Sequence, residues 1–565
     1  MGKYLNPGCN NYEEALNSDI YVDKTEMIAY VNSVVKTKQK YMCVSRPRRF
    51  GKTMAADMLC AYYGKGESRQ LFVDRKLAGN RNWDKYINHF DVVRVIMSDF
   101  IKKDSDISGS LLKMQKLVVR DLKKQYQDVD YYDVEDIKQS MSDVYEETGK
   151  QFVIIIDEWD VVFRVCKEDK DGQKLYLDFL RDWLKDQEYV ALAYMTGILP
   201  IKKYGQHSAL NMFDEYSIIA PMQLAKYTGF TEEEVKLLCE EYGRNFNNIK
   251  EWYDGYEAND IIPPDPNYEV QKETGKEKES NRYSIYSPLS VVKAIRNGLI
   301  QNYWNKTENY EALAEYIRMN YDGLKDSVAL MMDGGSVKVD IGTYQNDMNT
   351  FNSKDDVLAL LINLGYLKYD CATQDVAIPN KEILDEFKNS TKSEEWTDTF
   401  ISFRKSQELV DATWNRNEDK VAELLEWFHD SVENKTYNSE AALSYAVQLA
   451  YYAGQKYYTT IQELDSGKGR WMSCGHPFSA DRSGAETADL VYLPSPRYPD
   501  KPALLIELKY DKTIETAADQ IRRKNYPQKL EHYKGNILLI SVNYEKELDS
   551  TDAMYKHHSC RIALK

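Results

Sequence analysis

The sequence is short of long apolar runs, of paired cysteines and of positive charge, and each shortage closes off a class of protein. No stretch of about 18 apolar residues occurs, so no membrane-spanning helix and no membrane partner are expected. The opening residues, MGKYLNPGCNNYEE, lack the apolar segment of a secretory leader, so none is expected. Asn6 also stands where a myristoylation signal needs Ser or Thr. The eight cysteines, at 9, 43, 60, 166, 239, 371, 474 and 560, form no CxxC pair. That argues against a zinc ribbon or a disulfide framework and for a reducing, cytoplasmic home. Cys474 with His476, and the adjacent His557 and His558, carry little weight as a metal site. The net charge of −16 argues against a general nucleic-acid coat. It does not exclude a nuclease, whose basic patches are local.

What is there is enough for several cores. The 565 residues make room for three or four domains of ~150 residues each. An apolar content of 43% with 29% charged residues is ordinary for a globular chain. In the first part, apolar segments alternate with helical ones. KYMCVSRP, DVVRVIMSDF (91–100), QFVIIIDEWD (151–160), YVALAYMTGIL (189–199) and EYSIIAPM (215–222) read as strands. GKTMAADMLCAYY, 106–126, 134–148 and GQKLYLDFLRDWLKD read as helices. The alternation predicts an α/β domain with a parallel sheet over 1–225, with VIII at its buried centre. Residues 226–304 read as a mostly helical lid, with Thr231 capping a helix, Glu234 three residues on, and a polar, breaker-rich insertion at 261–283. Residues 305–401 read as a helical linker with a strand-like patch at NLGYLKYD. Residues 402–565 read as a helical lead-in followed by strands.

The stretch SRPRRFGKT, Ser45 to Thr53, approaches a phosphate-binding loop but lacks its first glycine; Arg46 stands in that place. Such a loop points backbone N–H groups and a helix N-terminus at phosphates. Phe50, Gly51, Lys52 and Thr53 supply the end of the motif, between an expected strand and an expected helix. Lys52 would meet the β- and γ-phosphates, and Thr53 would hold Mg²⁺. Arg46 to Arg49 must shape the turn differently and could contact phosphate themselves. The bland alternative is a basic surface turn that happens to contain GKT. The strand ending in Asp157 and Glu158 tips the balance. Asp157 suits a Mg²⁺ ligand acting through water, and Glu158 a base that orients the attacking water. Thr196, ending another strand, is either a γ-phosphate sensor or a capping hydroxyl. No trans-acting arginine stands out; Arg164 and Arg181 are guesses.

The spaced segments YVDKTEMI, RPRRFGKT, IDEWD, TGI, GFTEEEV, WYDGY and YSPLSVV resemble the AAA-ATPase-like proteins of gut and anaerobic bacteria, over about residues 5–300. In that family the loop also reads RPRRFGK, so Arg46 is the family's own variant. The family usually carries tyrosine where this chain has Trp159. The resemblance implies a P-loop fold that binds ATP.

A second constellation lies near the other end. ADLVYL and ALLIELKY read as adjacent strands joined by a proline-rich turn. Asp489 enters the first. Glu507 and Lys509, two apart, share a face of the second. Two carboxylates can hold Mg²⁺ and so activate water against a phosphodiester; a solvent-facing Glu–Lys pair on an edge strand is the alternative. The stretch resembles the PD-(D/E)XK nuclease superfamily, in the branch found fused to the ATPase-like domain above. The resemblance implies a restriction-endonuclease-like α/β/α domain. It also implies a glutamate on a preceding helix, matched by Glu440, and a Gln-Ile pair after the core, matched by Gln520 and Ile521 with Tyr526 following. The branch's Gly-x-Gly-Arg-x-Asp is split here between SGKGRWM (466–472) and SGAETADL (483–490), so Asp465 and Glu486 stand behind Asp489 as alternative acids.

The whole reads as an ATP-binding, ATP-hydrolysing protein joined to a Mg²⁺-dependent nuclease. Its expected partners are nucleic acid, DNA first, and a second copy of the chain. The competing readings are a nucleotide-switched nucleic-acid clamp and a protein-interaction scaffold, each with an inactive nuclease fold.

Overall fold

The computed structural model describes residues 2–201, 210–259, 282–304, 310–319, 321–345, 348–392, 396–430, 440–465, 487–495, 498–510, 536–545 and 557–564. Contacts divide the chain into two compact units. One comprises Met1–Leu324 and Val337–Ser390, the other Lys325–Ser336 and Thr391–Lys565.

In the first unit, the apolar segments form strands β1 (Tyr41–Ser45), β2 (Asp91–Ile96), β3 (Phe152–Asp157), β4 (Val190–Gly197) and β5 (Asp214–Tyr216). They lie in the order β2-β3-β4-β1-β5, all parallel. Every residue of β1, β3 and β4 is buried, which is why these strands read as unbroken apolar runs rather than as alternations. The helix Lys52–Tyr63 packs Leu59 and Tyr62 against Met42, Val44, Val153 and Ile155. β5 is shorter than EYSIIAPM suggested. Pairing stops at Tyr216, and the chain turns at Ser217, whose hydroxyl accepts the Ala220 N–H ahead of Pro221.

The following region is less helical than its sequence suggested. Strands β6 (Phe230–Thr231), β7 (Tyr256–Asn259) and β8 (Arg282–Tyr286) form an antiparallel sheet in the order β6-β8-β7. Strands of two to five residues are too short to show a period. The helices Glu232–Glu241, Phe246–Tyr253 and Pro288–Asn297 bury Val235, Ile249, Tyr253, Val291 and Ile295 together. The expected cap is present as a full capping box between Thr231 and Glu234. Glu234 also accepts from the Lys24 ammonium at 2.6 Å, tying the N-terminal segment to the start of this region. Of the insertion foreseen at 261–283, residues up to 281 lie outside the described ones. Further on, β9 (Val337–Lys338), β10 (Lys368–Asp370) and β11 (Asp375–Ala377) make a small antiparallel sheet, of which only the NLGYLKYD strand was foreseen.

In the second unit, the helices Thr397–Trp414, Glu418–Asp430 and Glu440–Ala450 precede β12 (Tyr458–Asp465), β13 (Thr487–Pro494), β14 (Ala503–Tyr510), β15 (Ile537–Tyr544) and β16 (His558–Leu564). The strands run in sequence order across one mixed sheet; β14 and β15 are parallel and the other neighbours antiparallel. Leu504, Ile506 and Leu508 face a core with Leu409, Leu425, Leu443 and Val447 of the helices. Ala503 and Leu505 face the opposite side, with Val491 and Ile537. Among the described residues no helix is long and apolar enough to cross a membrane.

Candidate functional site

In a parallel sheet, ligands collect where strands release their chains at the carboxyl edge. β1 and β3 both border β4, so the segments after β1, β3 and β4 meet there.

After β1 the chain makes the loop Arg46–Gly51. Gly51 has φ +84°, and Arg49 has φ 68°. Both lie in the left-handed region, which Gly51 enters without strain. Gly51 caps the helix that Lys52 begins. Arg46 explains the missing glycine. Its guanidinium is buried and donates to the Ser45 carbonyl at 2.9 Å and to the Tyr216 carbonyl at 2.5 Å. It straps the loop to edge strand β5. Desolvation lowers its pKa to about 9. The Lys52 ammonium donates to the Arg46 and Pro47 carbonyls at 2.9 and 2.8 Å. Desolvation lowers its pKa to about 8, against the pull of Asp160 and Asp157. Thr53 is exposed in the first helical turn. The Phe50 ring is buried against Tyr256, and its carbonyl accepts from Gly229 N–H at 3.1 Å.

After β3, Asp157 is buried and accepts from the Thr196 hydroxyl and, at 3.0 Å, from the Glu158 N–H. The Arg94 guanidinium lies 3.5 Å from its other oxygen and also pairs with Asp57 on the loop's helix. Thr196 is thus turned towards the acid rather than the loop. Glu158 has φ 53°, a left-handed backbone uncommon outside glycine. Its side chain is 43% exposed and 3.4 Å from Arg164, so it remains open to solvent.

Three residues escaped the sequence reading. Asp160 is fully buried and accepts the N–H groups of Ile198 and Leu199 at 3.0 and 2.9 Å, fixing the chain after β4 to the chain after β3. Gly197 admits the Trp159 indole: a Cβ there would sit 2.6 Å from Trp159 Nε1. Arg94 links Asp57 to Asp157. Its signal was visible, a lone cation inside the apolar run DVVRVI.

A cavity of about 510 Å³ opens beside the loop. Arg49 to Ala55 form one wall; Ile20, Tyr21, Val22 and Lys24 another; Tyr227, Phe230, Leu289, Val292 and Arg296 the rest. Its lining is mostly apolar and includes Lys24, Lys52 and Arg296, a mixture that suits phosphates attached to a flat apolar ring.

In the second unit, Glu507 and Lys509 are both buried, 1% and 6% exposed, and the Lys509 ammonium donates to Glu507 at 3.2 Å. They share the sheet face of Ala503 and Leu505. β13 and β14 pair Leu490 with Ile506. The side chains of Asp489, Glu440 and Asp465 lie outside the described residues, as do Gln520, Ile521, Tyr526, Glu486, Cys474 and His476 altogether.

The parallel sheet carries the loop after β1 and the acids after β3 at one edge, and a family match makes this region an ATPase-like nucleotide-binding domain. Residues 7–206 match the family model AAA-ATPase_like, described as "Predicted AAA-ATPase". The chain is also similar, at 24% identity over 297 residues, to an uncharacterized protein in the vnfD 5′ region of Azotobacter chroococcum mcd 1. That alignment covers 51% of this chain and 50% of the relative, so the chain spans about half the length of the curated relative it matches. Among solved structures, the Aeropyrum pernix ORC2 protein, in ADPNP–ADP complexes, aligns at 13% identity and a TM-score of 0.27, covering 66% of this chain and 96% of that one. The Aeropyrum pernix ORC1 protein in complex with DNA aligns at 12% identity and a TM-score of 0.24, covering 67% and 95%. Superpositions that loose carry no argument; the nucleotide-binding assignment stands on the family match.

Proposed function

We propose that the chain hydrolyses ATP at the carboxyl edge of the parallel sheet and that its C-terminal unit cleaves nucleic-acid phosphodiesters. The observation that carries the first half is Lys52. It is a desolvated cation, held in place by carbonyls of its own loop, lining a nucleotide-sized cavity and within electrostatic reach of Asp157 and Asp160. A phosphate chain would replace the loop carbonyls as its partner and restore the charge that burial opposes. The Gly51–Ala55 N–H groups supply the cradle. Thr53 and Asp157 are the residues that would hold Mg²⁺, which when bound offsets charge on the phosphates. Glu158, outside the Asp157–Arg94–Asp57 chain of ion pairs, orients water and takes its proton.

The second half rests on Glu507 and Lys509. Two opposite charges buried together on one side of a sheet are costly as packing and stay common at catalytic sites. Glu507 and Asp489 would hold Mg²⁺, with Lys509 balancing the phosphate. Glu440 and Gln520 join this site through the nuclease resemblance. DNA is the substrate class we favour, and association of copies through the ATPase domain is part of the same proposal.

Two variants test the first half. Lys52→Ala should abolish nucleotide binding in equilibrium titrations. Glu158→Gln should bind ATP as the parent does but turn it over about 10²-fold more slowly or worse. Unchanged turnover in both would remove the site from the β1 loop.

A further inference from the structure

A cluster in the second unit takes no part in either site. The helix Glu418–Asp430 carries Glu426 and His429 three residues apart, hence on one face. β16 begins at His558. The backbone N–H of His558 donates to Glu426 Oε2 at 3.1 Å, and its Nδ1 lies 2.7 Å from the same oxygen. The His429 ring centroid is 5.5 Å from that of His558 and 5.5 Å from that of His557. His557 stacks on Tyr544 at 5.2 Å. Two of the chain's seven histidines, His429 and His558, therefore meet at one carboxylate, with His557 beside them. One donor atom each from Glu426, His429 and His558 lies within 4.8 Å of the others. His429 and His558 are 4% and 2% exposed.

We propose that Glu426, His429 and His558 form a binding site for a divalent transition metal of the Zn²⁺ kind, which fastens the Glu418–Asp430 helix to the last strand. The donor set decides the class. Two imidazoles and one carboxylate suit Zn²⁺, Co²⁺, Ni²⁺ or Fe²⁺, whereas Mg²⁺ and Ca²⁺ take oxygen. Metal–ligand bonds of about 2.0–2.2 Å put tetrahedral donors roughly 3.4 Å apart. For a metal to enter, the Glu426–His558 pair, 2.7 Å apart, must open and the wider separations, up to 4.8 Å, must close. Burial favours a structural role. A metal entering between His558 Nδ1 and Glu426 displaces the contact they share, and a proton on Nδ1 leaves to solvent. His557 Nδ1 sits 2.7 Å from the Glu545 carbonyl. With the proton on Nδ1, that bond fixes the ring beside the site.

The test uses tag-free, chelator-stripped full-length protein titrated with Zn²⁺ by calorimetry in two buffers of different ionisation enthalpy, and with Co²⁺ by visible absorption. The expected result is one saturable equivalent, release of protons, and intense Co²⁺ bands of a low-coordinate nitrogen–oxygen site. His429→Ala and Glu426→Gln should each weaken binding at least ~10-fold. Glu426→Gln keeps the shape and an acceptor for the His558 N–H, so it reads the ligand role even if His429→Ala fails to fold. Absence of saturable Zn²⁺ binding in the parent, or equal affinity in a folded Glu426→Gln, overturns the site.

Discussion

Arg46 and Lys52 share one loop and are desolvated to different ends. Arg46 fills the position of a glycine, and its guanidinium reaches the Tyr216 carbonyl of the edge strand. Restoring the usual glycine is therefore not an improvement. Arg46→Gly should cost about 1–3 kcal/mol from the abandoned carbonyl and the freed backbone, seen as a lower denaturant midpoint with an unchanged slope. A gain in stability would show that the strap is incidental. Lys52 is desolvated in front of the loop, with a pKa of about 8. In the free protein it loses its proton as pH rises through that value, whereas a bound phosphate keeps it charged. Nucleotide affinity should then be level below about pH 8 and fall roughly tenfold per unit above it. Fluorescent-nucleotide titrations from about pH 7 to about pH 10 read the bend. Lys52→Arg, charged throughout, should show no bend however weakly it binds.

Between elements, one buried acid sets a clear pH dependence. Glu382, in the helix Lys381–Ser390, accepts the N–H groups of Tyr303 and Trp304 at 2.7 and 3.1 Å. Burial nevertheless raises its pKa from 4.5 to about 7, opposed by those bonds and aided by Glu386. The folded protein thus holds a proton that the unfolded chain has released between about pH 4.5 and about pH 7. The acid's contribution is greatest below that window and is lost as pH rises through it, by about 3 kcal/mol in all. Glu382→Gln keeps an acceptor and removes the titration. Relative to the parent it should gain stability between about pH 5 and about pH 8, measured by chemical denaturation; a constant difference would refute the assignment. Nothing in the sequence announced Glu382, because an acid near a helix start looks like an ordinary dipole partner. The strands β1 to β4 were legible because they are buried on both faces and show unbroken apolar runs. β6 to β9 were not, since two to five residues hold no period. At the candidate site, spacing picked out Lys52, Thr53, Asp157 and Glu158. It did not pick out Asp160 and Gly197, for their roles arise only when the ends of β3 and β4 lie side by side.

At the scale of the chain, the sequence holds two sets of charged groups in two separate units, and the family match reaches only residues 7–206. What joins them is a matter for variants rather than for likeness. The buried pair of Glu507 and Lys509 is either a catalytic pair or a structural ion pair. The two differ in what Glu507→Gln does. The amide keeps the shape and a neutral partner for Lys509, so the fold should persist, judged by an unchanged circular-dichroism spectrum. If Glu507 is a metal ligand, nicking of supercoiled DNA with Mg²⁺ should fall by at least ~10²-fold, while ATP turnover at Lys52 and Glu158 continues. Lys52→Ala makes the reciprocal arm. Where nucleotide drives cleavage, it should stop both reactions; where the units act apart, it should stop ATP turnover alone. A parent protein that turns over ATP yet cuts neither DNA nor RNA, with Glu507→Gln indistinguishable from it, would leave a nucleotide-driven binding protein in place of a nuclease. Salt-dependent retention of DNA would then separate a clamp on nucleic acid from a scaffold for proteins.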